Sequence, residues 1–252
     1  MKQYGLIGFP LSHSFSKKYF TEKFDRERIA DARYDLFPIE SVSDLPALLK
    51  QYPHLLGLNV TIPHKLNVMA FLDQVDEGAQ KAGAVNCISI SKTRKNENVL
   101  VGYNTDVYGF KSSLKPLLKP QHKQALVLGD GGAARAVKCV LNDLGIPYQI
   151  VTRREAPGNL LFSDLKPQHI AEHLLIINTT PLGTYPGTEE YPPIPFEALT
   201  NKHLLYDLIY NPEQTLFLQK GAAAGAATKN GYEMLLLQAE KSWEIWNAKD
   251  KH

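Results

Sequence analysis

Apolar and polar positions alternate along this chain in two successive rhythms. In the first hundred residues short apolar runs are followed by helical spacing. Tyr4–Phe9 reads as a strand ended by Pro10, and Ser16–Phe24 carries apolar residues at helical intervals. Arg33–Phe37 predicts a strand, Val42–Tyr52 a helix, and Leu55–Ile62 a strand stopped by Pro63. His64–Leu72 predicts a helix with Pro63 at its first turn. Ala84–Ser91 and Val99–Tyr103 predict two strands around a polar turn rich in Lys and Asn.

The second rhythm begins near Asp106. Val107–Leu118 is amphipathic and ends before Pro120. Gln124–Leu128 is a strongly apolar strand, followed by a glycine-rich turn and a helix over Ala133–Leu144 that Gly145 stops. Tyr148–Val151, Leu174–Asn178 and His203–Leu208 are compact apolar runs, as expected of parallel strands buried on both faces. Ala222–Ala227 reads as helix and helix end. Gly231–Asn247 predicts a long amphipathic helix with Leu235, Leu236, Ala239, Trp243 and Trp246 in the core. No internal repeat or low-complexity linker interrupts this pattern. Strands alternating with helices predict an α/β fold with a doubly wound sheet.

Composition narrows the function classes. With 252 residues, 44% of them hydrophobic, the chain can bury a sizeable core in one large or two small domains. Its 28 basic and 26 acidic residues leave a formal net charge of +2, which gives no field to attract nucleic acid or an anionic membrane. No stretch approaches the roughly 18 apolar residues of a spanning helix, and Met1–Gly8 reads as a strand rather than a secretory signal. The two cysteines, Cys87 and Cys139, are far apart, which fits a cytoplasmic protein without disulfides. His169 and His173 are four residues apart but lack an acidic partner in HExxH spacing, so no metal is expected.

The turn Gly129-Asp130-Gly131-Gly132-Ala133-Ala134 follows a predicted strand and opens a predicted helix, matching G-x-G-x-x-G/A. Gly129 permits the tight turn, Gly131 admits backbone to a pyrophosphate, and Ala134 allows close packing of helix on sheet. The helix N-terminus adds free N–H groups and partial positive charge. Asp130 is discordant there, because a carboxylate opposes the anion unless its side chain points away. At the end of the next strand an NAD site usually carries an acid; this chain has Thr152, Arg153 and Arg154. Arginines clamp phosphate, so the cofactor expected is NADP.

Three polar clusters occupy the first domain: Ser12-His-Ser14-Phe-Ser16, Asn59-Val-Thr61-Ile-Pro-His-Lys65, and Ala82-Gly-Ala-Val-Asn86. Singly each could be turn chemistry; together they suggest a pocket for a polyhydroxylated small molecule. With Asn-Thr-Asp at 104–106, Asn-x-Thr-Pro-Leu-Gly at 178–183, Asp-x-x-Tyr-x-Pro at 207–212 and Gly-x-x-Met-Leu-x-x-Gln at 231–238, the series resembles the shikimate dehydrogenase family from one end of the chain to the other. Two departures stand out: Val107 follows Asn-Thr-Asp where Gly is frequent, and Phe15 and Lys17 alter the usual Ser-Lys-Ser-Pro.

The resemblance implies an N-terminal α/β substrate domain at 1–105, completed by 231–252, and a Rossmann-like, doubly wound NADP-binding domain at 106–230. The C-terminal helix would pack back on the substrate domain. It implies reversible reduction of 3-dehydroshikimate to shikimate with NADPH, in the pathway to aromatic amino acids. Lys65 and Asp106 would be the catalytic pair. Ser14, Ser16 and Tyr210 would hold the substrate carboxylate, and Asn59, Thr61, Asn86 and Gln238 its ring hydroxyls. Glu77, Leu208 and Gly231 match positions near the nicotinamide or its ribose. The alternatives are a quinate/shikimate dehydrogenase using NAD and a catalytically silent NADP-binding regulator. The partner expected is the small-molecule substrate alone, with the chain a monomer or homodimer.

Overall fold

A computed structural model of the protein describes residues 1–11 and 14–248, so Ser12 and His13 of the first polar cluster lie outside the described residues. The chain divides into two compact units. One holds residues 1–105 and the chain from Ala239 onward; the other is Asp106–Gln238.

In the first unit, β1 (Lys2–Gly8), β2 (Ala32–Pro38), β3 (Leu55–Val60), β4 (Gln74–Val75), β5 (Cys87–Lys92) and β6 (Asn98–Tyr103) form a sheet in the order β2-β1-β3-β5-β6-β4. β1 pairs in parallel with β2 and β3, whereas β3–β5 and β5–β6 are antiparallel. Three helices, α1 (Phe15–Arg26), α2 (Leu45–Gln51) and α3 (Glu77–Ala82), lie between these strands in sequence.

In the second unit, α4 (Thr105–Leu114) leads to six parallel strands: β7 (Ala125–Leu128), β8 (Tyr148–Thr152), β9 (Leu160–Leu161), β10 (Leu175–Asn178), β11 (Leu204–Asp207) and β12 (Ala227–Lys229). Their order is β12-β11-β10-β7-β8-β9, with α5 (Gly132–Asp143), α6 (Pro167–Glu172) and α7 (Leu216–Ala223) as crossover helices. Numbered from β7, this is the 3-2-1-4-5-6 order of a dinucleotide-binding sheet, with its switch point between β7 and β10. α8 (Tyr232–Asn247) begins in this unit and ends in the first.

Period-two alternation sorts each strand's side chains onto two faces. In the second unit Ala125, Val127, Leu175, Ile177, Leu204 and Tyr206 pack with Phe110 of α4 and Val137 and Val140 of α5. Leu126, Leu128, Ile176 and Leu205 face the other way, toward Ile170 of α6 and Phe217 of α7. In the first unit Ile7, Leu58 and Val60 pack on Leu45 and Leu48 of α2. Tyr4, Leu6 and Tyr34 meet Phe20 and Phe24 of α1 and Trp243 and Trp246 of α8. Burying each large aliphatic side chain contributes roughly 1.5–3 kcal/mol, and β7, buried at every position, is apolar throughout.

Several elements differ from the sequence expectation. His64–Leu72 is not an α-helix; only Asn67–Phe71 forms a 3₁₀ segment. The Lys65 carbonyl, which a helix would use internally, accepts from the Val85 N–H at 2.8 Å. The stretch Val107–Leu118 breaks at Leu114 into a 3₁₀ turn, because Pro116 removes a backbone donor and disfavours helix before it. Ala84–Asn86 precedes β5 rather than joining it. The Ala/Gly-rich stretch is only the end of α7, followed by Gly225 at positive φ and then β12. The break within α8 falls after Gln238 rather than at 230/231, since Met234 packs with the second unit's core.

A five-residue sequence does recur: Leu-Lys-Pro-Gln-His stands at 118–122 and again at 165–169. In each copy the imidazole Nδ1 accepts the lysine N–H at 3.0 Å, and His203 does the same for Thr200. His169 is thus engaged as a cap, and His173 Nδ1 bonds the His169 carbonyl at 2.8 Å.

Candidate active site

Parallel pairing of β1 with β3 brings the loops after both strands to one end of the first sheet. Thr61 N–H donates to the Ile7 carbonyl, and Phe9 N–H to that of Ile62. Antiparallel β5 begins at the same end, where Val60 N–H donates to the Asn86 carbonyl at 2.9 Å. With the Val85–Lys65 bond, these contacts hold Thr61 and Lys65, both half-buried, against the segment carrying Asn86.

Behind them runs a buried polar network. The Tyr34 hydroxyl donates to Asn59 Oδ1 at 2.9 Å, and Asn59 Nδ2 donates to Ser242 Oγ of α8 at 2.9 Å and to the Asn86 carbonyl at 3.3 Å. Asn86 Oδ1 accepts from the Thr105 N–H at 2.6 Å, and Asn86 Nδ2 donates to Thr105 Oγ1 at 3.0 Å. Burial pushes the Tyr34 phenol well above its ordinary pKa, and a hydrogen bond from Ser16 opposes that shift. Ser14 caps α1, its Oγ accepting from Lys17 N–H at 3.2 Å. Thr61, Lys65 and Asn86 thus stand on segments beside the ends of β3 and β5, Asn59 lies within β3, Ser16 reaches the network through Tyr34, and Ser14 caps α1. Asp106, half-buried, follows Thr105 directly in the first turn of α4. Glu77 opens α3, largely exposed, with Lys81 at 2.8 Å.

In the second unit the glycine turn sits at the C-terminal end of β7. Gly129 has φ +99°, and a side chain there would meet Thr179 Oγ1 at 2.9 Å. Thr179 itself donates to the Leu128 carbonyl, closing the switch point between β7 and β10. Around Gly131 and Gly132 the space is open, with no atom within 4 Å of where a Cβ would stand. Gly131 caps α5 without a side-chain bond, and the first turn of α5 carries no acid. Asp130 forms an ion pair with Lys138, nearly two helical turns inside α5. Thr152 Oγ1 donates to the Arg154 carbonyl at 2.8 Å and shapes the turn on which Arg153 and Arg154 stand exposed. Open glycines, helix N–H groups and two exposed guanidinium groups are chemically suited to a phosphorylated dinucleotide.

The ends of β10 and β11 are fastened by a second buried network. Asp207 accepts from Asn178 Nδ2 at 3.0 Å, Ile209 N–H at 3.1 Å and Thr215 Oγ1 at 2.6 Å. Burial raises its pKa to about 6, against the pull of those three donors. Asp207 thereby holds the segment Leu208–Tyr210. Leu208 N–H donates to the Asn178 carbonyl, and Gly231 closes on it: a Cβ at 231 would stand 2.0 Å from the Leu208 carbonyl oxygen. Gln238 is buried on α8 beside Gly109 of α4. Tyr34, Thr105, Ser242, Asn178 and Thr215 each belong to one of these two networks, a part that sequence reasoning did not assign to them. Ser242 had a signal, one turn after Gln238 on the same helix; Tyr34 had none.

Among the described residues no helix is long and apolar enough to cross a membrane, and no group of three or more His, Cys, Asp or Glu is disposed to hold a metal. Fold and site define a dinucleotide-binding α/β protein that carries a second, mixed-sheet unit with a polar rim. Residues 6–88 match the family described as the shikimate dehydrogenase substrate binding domain. The shikimate dehydrogenase (NADP(+)) of Clostridium beijerinckii is 40% identical over 98% of this chain and 92% of its own. That of Desulforamulus reducens is 37% identical over 96% and 88%. The shikimate 5-dehydrogenase of Thermus thermophilus, solved with NADP(H) and shikimate, superposes with a TM-score of 0.82 at 28% identity, covering 99% of this chain and 94% of that one. The chain belongs to the shikimate dehydrogenase family.

Proposed function

We propose that this chain is an NADP-dependent shikimate dehydrogenase, interconverting 3-dehydroshikimate and shikimate on the route to aromatic amino acids. The observation that carries the reading is one end of the first sheet, where Asn59 near the end of β3 is hydrogen-bonded to the segment of Asn86, and Thr61 and Lys65 follow on the backbone-tied segment after β3. A small polyhydroxylated acid needs such a set of amide, hydroxyl and ammonium groups.

When bound, NADP supplies the nicotinamide that takes a hydride from the carbinol carbon or returns it to the ketone. The chain's own part is proton transfer and orientation. During oxidation the carbinol hydroxyl proton passes to the Lys65–Asp106 pair; during reduction the pair returns it to the ketone oxygen. The Lys65 ammonium also stabilises negative charge building on that oxygen. Ser14, Ser16 and Tyr210 hold the carboxylate. Thr61, Asn86 and Gln238 recognise ring hydroxyls, and Asn59 can offer its remaining oxygen lone pair. Glu77, Leu208 and Gly231 form the nicotinamide side, and Arg153 and Arg154 hold the 2′-phosphate. The enzyme works in the cytoplasm as a monomer or homodimer. Cys87 and Cys139, both buried and not joined in a disulfide, suit a reducing compartment.

Steady-state assays crossing shikimate and quinate with NADP⁺ and NAD⁺ test the reading. Shikimate with NADP⁺ should give the highest kcat/KM. A preference for NAD⁺ would refute the cofactor assignment, and a preference for quinate the substrate assignment.

A further inference from the structure

The phosphate turn of this chain contains a carboxylate. Asp130 lies between Gly129 and Gly131, one residue before the N-cap of α5, and its side chain is about one-third exposed, at 35%. An unneutralised carboxylate there repels a dinucleotide pyrophosphate and weakens the pull of the helix N-terminus. The ion pair with Lys138 changes that balance. Position 138 is the seventh residue of α5, and its ammonium reaches back along the helix to Asp130. Gly131 and Gly132 meanwhile leave their side of the turn open.

We propose that Lys138 is a positioning residue for cofactor binding: it holds the Asp130 carboxylate back and cancels its charge, so that the glycine turn can accept the NADP pyrophosphate. The inference rests on reading that turn as the cofactor site. Lys138 acts through Asp130 and touches no phosphate. As a partly exposed pair it adds little to folding, because such pairs give up most of their attraction to solvent. Its effect belongs to ligand affinity, where a third negative group would otherwise enter the balance.

The test is calorimetric titration of the full chain with NADP⁺. Lys138→Ala should weaken binding about three- to tenfold at low salt, and less at high salt, where repulsion is screened. Asp130→Asn should bind as tightly as the unsubstituted chain or more tightly. In the Asp130→Asn background Lys138→Ala should then have no effect, within about twofold. Lys138→Arg, which keeps the pair, should also stay within about twofold, and thermal melts of all four variants should agree closely. Unchanged affinity in Lys138→Ala would overturn the inference. So would a double variant as weak as Lys138→Ala alone, because Lys138 would then contact the phosphate directly. If the unsubstituted chain bound no NADP⁺, the reading of the turn would fall, and this inference with it. Binding by that chain with a failed cycle would sink the inference alone.

Discussion

The Lys65 carbonyl accepts from the Val85 N–H, a backbone bond that truncating the side chain leaves in place. Lys65→Ala should lower kcat by about 10²–10⁴-fold and change the substrate KM far less, since general acid–base help is realised in the transition state. Steady-state kinetics on a variant with an unchanged circular dichroism spectrum would check this. Gly231 is the opposite case, a residue whose importance is the absence of a side chain. The atom that would obstruct a methyl is the Leu208 carbonyl oxygen, which cannot rotate away. Gly231→Ala should cost about 1–3 kcal/mol in urea denaturation and reduce kcat/KM at least about tenfold by displacing Leu208. At this scale the sequence was legible where a motif carries its own chemistry, as in Asn59–Lys65. It was silent where one partner comes from a distant strand: nothing in the neighbourhood of Tyr34 shows that its hydroxyl ends on Asn59.

Elements read correctly when they were long or buried on both faces, as α8, β7 and β10 are, because period and apolar content then agree. Elements of two or three residues, such as β4 and β9, span less than two full periods and leave no pattern to read. α3 escaped notice although Asp76 caps its start and Gly83, at φ 62°, ends it, because six residues carry only two buried alanines. The loops after β10 and β11 depend on Asp207. Its folded pKa, about 6, lies above the ordinary 3.8, so the fold binds a proton between those values that the unfolded chain has released. Stability from this group is therefore lost as pH rises from about 4 to 6 and stays lost above. Asp207→Asn should remove that dependence. Relative to the unsubstituted protein, its urea-derived stability should improve by up to roughly 3 kcal/mol between pH 4 and pH 7. An unchanged difference across that range would mean that the carboxylate is not titrating there.

For the whole molecule, cofactor preference and stability are linked. A ligand at about 100 times its Kd stabilises a protein that binds it only when folded by about 2.7 kcal/mol. NADP⁺ should therefore raise the melting temperature more than equal NAD⁺. Replacing both Arg153 and Arg154 with alanine should abolish that difference while leaving the NAD⁺ shift intact; equal losses for both would refute 2′-phosphate recognition. Division into two units was readable from the change of rhythm near residue 106. The position of the second break was not, because α8 keeps one amphipathic pattern from Tyr232 to Asn247 while its partners change from Gly109 to Tyr4 and Phe24.

That helix has an optical consequence. Both tryptophans of the chain, Trp243 and Trp246, lie on its distal half, among Tyr4, Phe20 and Phe24 of the first unit. Indole emission thus watches the substrate-side unit alone, and the nucleotide-side unit is dark at that wavelength. An unfolding curve followed by tryptophan light will report one half of the polypeptide, and agreement with a probe placed in the other half must be measured before a single transition is claimed.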